Sequence, residues 1–177
     1  MTTSLSATSS QSLRNATPQE AATTVLRQHW DGKLPVDPAK LATRLGLTVY
    51  ARGGDKDPTY QASGGYHRYE GKPALCFNIA EHVDRQRFIL AHALAHHVFD
   101  DAVHPPEVGA IWNSKEPHEV RATAFARELL MPRKPVLDAY QSGKVPNIER
   151  LAAAFGVTKD AMGHRLLALG VASGVLA

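Results

Sequence analysis

The sequence predicts an α+β fold, mostly helical with a small antiparallel β-sheet, and three observations lead there. A chain of 177 residues, 44% hydrophobic and 21% charged, is long enough for one main domain with a real core and too balanced for disorder or coiled coil. Three short strand-like runs fall together between Leu47 and Ile79. Cap and periodicity signals for helices lie on both sides of them. No run approaches the roughly 18 consecutive apolar residues of a membrane span. Lys and Arg number 20 against 17 Asp and Glu, a formal charge of +3 that is too mild to announce nucleic-acid binding.

In chain order, residues 1–16 are crowded with Ser and Thr, carry one charge at Arg14 and lack the apolar run of a secretory signal, so they read as a disordered tail. Thr17-Pro18-Gln19-Glu20 opens a helix to about Trp30: Thr17 caps, Pro18 suits the first turn and Glu20 completes a capping box. Asp37 caps a second short helix that stops at Gly46. Strands follow at 47–50, about 62–69 and 74–79, the last two separated by Glu70-Gly71-Lys72-Pro73, and together they suggest the antiparallel sheet. Residues 83–99 read as a helix with Asp84 complementing its N-terminal dipole. Residues 100–117, with three prolines and a glycine, suit a long loop. Glu119 to Met131 is helical and ends at Pro132, and two further helices, about 145–155 and 158–169, close the chain. The organisation is thus a tail at 1–16, a core at 17–132 and a C-terminal helical segment at 133–177 that packs on it.

The chemistry lies in His92-Ala93-Leu94-Ala95-His96. Two imidazoles four apart on a helix project from one face about a turn apart, the bite that a tetrahedral zinc ion accepts. With nine histidines in the chain such a pair arises readily by chance, and a buried, hydrogen-bonded pair without metal competes with a ligating one. A third protein ligand is needed, and the candidates are His97, His104, His118 and Glu119. His97, next to His96, points about 100° away around the helix, and His104 lies in the loop. Glu119 opens a helix whose Ala122, Thr123 and Ala126 are small enough to let it pack against the histidine face.

Arg87 to His97, followed by Glu119-Val120-Arg121-Ala122-Thr123-Ala124-Phe125-Ala126-Arg127-Glu128-Leu129-Leu130-Met131-Pro132, resembles the ImmA/IrrE family of zinc metallopeptidases. Pro35-Val36-Asp37-Pro38 with Leu41-Ala42 and Leu45-Gly46 resembles that family's opening segment, and Gly64-Gly65-Tyr66 with Phe77-Asn78 the strands before its active helix. Leu151-Ala152, Phe155-Gly156-Val157 and Arg165-Leu166 resemble its ending, so the resemblance covers about residues 19–170. It implies a zincin-like domain, His92, His96 and Glu119 as metal ligands, Zn2+ as cofactor (Mn2+ fits a similar set), and endoproteolysis of a helix-turn-helix transcriptional repressor in stress responses or mobile-element induction.

Two departures from the family pattern stand out. Thr123 replaces the usual Asn, which leaves the ligand set intact. Ala93 stands where the family's His-Glu-x-x-His motif has its general base, and alanine can neither take a proton from the attacking water nor pass one to the leaving amine. The chain as written is therefore expected to be a very poor peptidase. Ala93 belongs either to a natural pseudopeptidase or to a deliberately inactivated variant, and the selective survival of the three ligands favours the second.

Weaker signals complete the sequence. Residues 151–162 outline a helix-turn-helix, but Lys159, His164 and Arg165 are too few basic groups for a convincing DNA contact set, and a helical pair packed on the core is favoured. Tyr66, His67 and His164 are candidate oxyanion stabilisers by residue type alone. Trp112 is either a partner contact or a core plug. The single cysteine, Cys76, excludes an intrachain disulfide, reads as a small buried side chain and suits a reducing cytoplasm.

Overall fold

In a computed structural model, residues 13–100, 114–142 and 147–171 are described. Among them the architecture is α+β: seven α-helices and one three-stranded sheet. The first helix, α1 (Pro18–His29), carries the capping box written in its sequence, with Glu20 N–H donating to Thr17 Oγ1 and Thr17 N–H to Glu20 Oε2. Helix α2 (Pro38–Arg44) is capped by Asp37, whose carboxylate accepts from the Ala39 and Lys40 amides. Of the tail expected at 1–16, residues 13–16 are described, and there Leu13 is buried in the core.

Strands β1 (Thr48–Arg52), β2 (Gly64–Tyr69) and β3 (Lys72–Asn78) form the sheet in the order β1-β3-β2. The β2–β3 hairpin is antiparallel, Gly64 facing Phe77 and Tyr69 facing Lys72. The expected all-antiparallel sheet is corrected at the other edge, where β1 runs parallel to β3 with Thr48 opposite Ala74 and Arg52 opposite Asn78. The long connection after β1 carries the chain past the place of β3 and lays β2 on its far side, so β3 returns in the direction of β1.

Helix α3 (Val83–Phe99) spans the expected residues. It packs against β2 and β3 on one side and against helix α4 (Pro117–Leu130) on the other, and α1 covers α4. Ile89, Leu90, Ala91, Ala93, Leu94, Ala95 and Val98 are all buried, so α3 is the central core helix and not an amphipathic one. Close approach of sheet to helix depends on Gly64. At its φ of 142°, a Cβ would stand 2.3 Å from the Cys76 carbonyl oxygen and 2.7 Å from Ile89 Cγ2. On the α4 side, Ala122 and Ala126 are fully buried, while Phe125 meets Phe99 edge-on at 5.7 Å between centroids.

The C-terminal part holds one helix more than expected, α5 (Arg133–Ser142). Pro132 and Pro135 read as breakers, yet Pro135 sits in the first turn, where its missing N–H is not needed. Helix α6 (Ile148–Phe155) is capped by Asn147 and ends at Gly156 in the left-handed region, and α7 (Lys159–Ala168) is capped by Thr158. Two cationic clamps dock this segment on the core. Arg87 of α3 donates to the Gly156 carbonyl at 3.0 Å, and Arg165 of α7 holds Glu128 of α4 through two 2.6 Å hydrogen bonds while donating to the Met131 carbonyl.

Candidate metal centre

The α3–α4 contact brings His92, His96 and Glu119 together: one nitrogen or oxygen from each lies within 4.8 Å of the others. His92 Nε2 is 2.8 Å from Glu119 Oε2 and 3.1 Å from His96 Nε2, and His96 Nε2 is 3.5 Å from Glu119 Oε1. Both histidines are buried and the Glu119 side chain is 15% exposed, so the cluster opens to solvent at its carboxylate edge. The hydrogen bond from His92, then the neighbouring imidazoles, hold the Glu119 carboxyl below the ordinary carboxylate range against the opposing effect of its burial.

The donor chemistry of this cluster suits a cation. A neutral imidazole has one N–H and one lone pair, so His92 Nε2 cannot both donate to Glu119 and accept from His96. A cation at their meeting point would take a lone pair from each of the three atoms. With a metal on Nε2, the Nδ1–H left on His92 would meet Thr123 Oγ1, which lies 3.3 Å from Nδ1. Thr123 follows Glu119 by four residues on α4 and so shares its face. The i, i+4 spacing from Glu119 is the sequence signal for this second contact. Phe88, one turn before His92, adds an apolar wall with ring centroids 6.3 Å apart.

A model of the IrrE N-terminal-like domain, a peptidase family, matches residues 42–167. The chain belongs to this family. The match takes in the sheet, α3, the α3–α4 contact and all but the last residue of α7, and no curated protein matches the chain significantly. An IrrE-like domain is a metallopeptidase-type, zinc-dependent fold, and the cluster sits where α3 carries its histidine pair.

The remaining candidates distribute differently. His97 turns from the cluster to Tyr66, whose hydroxyl lies 3.3 Å from His97 Nδ1. His118 stands beside Glu119, its Nε2 3.4 Å from Oε1. His67 points to the opposite face of the sheet, hydrogen-bonded to the Tyr50 hydroxyl, and is not near the cluster. His164 is exposed on α7 and lines a cavity with Phe88, Thr123 and Arg127, while Arg165 is buried and committed to Glu128. Cys76 is buried beneath the Tyr60 hydroxyl. His104 and Trp112 lie outside the described residues. Ala93 is 1% exposed, one residue after His92 in the helix.

Proposed function

We propose that the chain is a metalloendopeptidase-type domain of the ImmA/IrrE kind that binds zinc through His92, His96 and Glu119 and engages a helix-turn-helix transcriptional repressor in the cytoplasm, with hydrolysis crippled by Ala93. The observation that carries the reading is the buried convergence of two imidazole Nε2 atoms and a carboxylate, each offering one ligand atom within 4.8 Å of the others. Zinc supplies Lewis-acid activation of water and of a scissile carbonyl. The chain supplies the rest: α3 and α4 hold the ligand atoms, Thr123 stands at His92 Nδ1, and the Phe88 ring lies beside the His92 ring. The missing function is proton transfer, since the Ala93 methyl can hold no proton.

The repressor substrate rests on the family resemblance. Among the described residues no helix is long and apolar enough to cross a membrane. The test is the zinc-loaded Ala93→Glu variant with a repressor that the Ala93 chain captures. The variant is expected to cut it in a metal-dependent way that chelation abolishes, while the Ala93 chain binds it intact. A zinc-loaded variant that binds and never cuts overturns the peptidase reading.

A further inference from the structure

Between α3, α4 and the corner that joins α6 to α7 lies a cavity of about 270 Å³, and none of His92, His96 and Glu119 lines it. Helical spacing sets its place. Asp84, Phe88 and His92 stand four residues apart on α3, as do Glu119, Thr123 and Arg127 on α4, so the stripes that carry the cluster also carry this wall one to two turns away. Much of the lining is apolar: Phe88, Leu130, Met131, Val157 and Ala161. Its charges are unequal. Asp84 and Arg85 offset each other, and Arg85 is also held by Glu81 at 3.2 Å. Arg127 is exposed, and among the described residues its guanidinium has no hydrogen-bond or ion-pair partner.

We infer that this cavity binds a small molecule with an apolar body and a carboxylate, the body against the apolar wall and the carboxylate on Arg127. Burial of the body supplies affinity, and a guanidinium presents the donor fork that a carboxylate matches. The Thr158 hydroxyl accepts from the Ala161 amide at the α7 cap, which leaves its O–H as a second donor in the wall. The volume is just below the usual range of about 300–1,000 Å³ for small-molecule sites, so the ligand is small, roughly one aromatic ring with a short acid chain. The site stands apart from the metal reading, and either can fail alone.

Hydrocinnamate is the probe, with hydrocinnamyl alcohol as its uncharged counterpart, each titrated into the purified chain and followed by heteronuclear NMR of the methyl groups. Saturable shifts at Leu130, Met131, Val157 and Ala161 are expected, with the alcohol binding about threefold more weakly, the worth of one exposed ion pair. Arg127→Gln, at an exposed position, should bring the acid down to the level of the alcohol. Ala161→Leu, which fills the cavity, should weaken both probes. Circular dichroism verifies that each variant is folded. Equal binding of acid and alcohol, or no saturable shift at these methyls from either, overturns the proposal. Acid binding that both variants leave unchanged overturns it as well, and loss of that binding in Glu119→Ala would then place the carboxylate on the metal centre.

Discussion

Thr123 illustrates how one hydroxyl decides what a histidine can do. With a metal on Nε2, Thr123 would accept the remaining His92 Nδ1–H and so keep the lone pair on the atom that faces His96 and Glu119. Thr123→Val keeps the shape and removes the acceptor, so zinc affinity should drop about 10- to 100-fold with little change in circular dichroism, as read by competition with a chromophoric chelator. Unchanged affinity would mean that helix packing alone orients His92. Ala93 works in the opposite sense, as a residue whose lack of chemistry matters. Restoring a carboxylate there should raise peptide hydrolysis about 10²- to 10⁴-fold, the usual worth of positioned acid–base catalysis.

At the scale of elements, the site exists because α3 is clamped between the sheet and α4, and the C-terminal pair secures α4 from behind. Arg165 is 8% exposed, holds Glu128 bidentately and also serves the Met131 carbonyl. Arg165→Met strips both partners and should destabilise the fold by about 3 kcal/mol in urea unfolding, the lower end for breaking a buried pair because Glu128 is partly exposed. Arg165→Met with Glu128→Leu should recover most of that loss, and equal losses in single and double variants would show that packing, not the ion pair, is at stake. The elements themselves were largely legible. Thr17, Asp37 and Thr158 cap as their residue types require, and α3 covers 83–99 as read. Sheet pairing was not legible, because alternation identifies a strand without naming its neighbour, and β1 joined β3 in parallel. Helix α5 was hidden by Pro132 and Pro135, whose meaning depends on where the first turn begins. At the site, the spacing of His92 and His96 and the small face of α4 could be read from sequence. The contact between Thr123 and His92 Nδ1 needed the helix crossing itself.

For the whole molecule, half-buried histidines away from the cluster contribute to the response to acid. Burial pushes the imidazoles of His29 and His67 below their usual range, and Arg44 and Arg52 respectively add to that. Above the unfolded value of about 6.5 both states are neutral and these groups contribute nothing to pH dependence. Below it the unfolded chain takes protons that the folded chain refuses, so stability falls as pH drops from about 6.5. The melting temperature should therefore decline between about pH 7 and pH 5, and the combined His29→Gln and His67→Gln variant should decline less. An identical slope in the variant would place the acid sensitivity elsewhere. The central claim is that the α3–α4 cluster is a metal centre, and elemental mass spectrometry of freshly purified protein, with Glu119→Ala beside it, tests that most directly. The account predicts about one zinc per chain, lost in the variant; no metal in either protein, even after reloading, would contradict it and leave His92 and His96 as core structure.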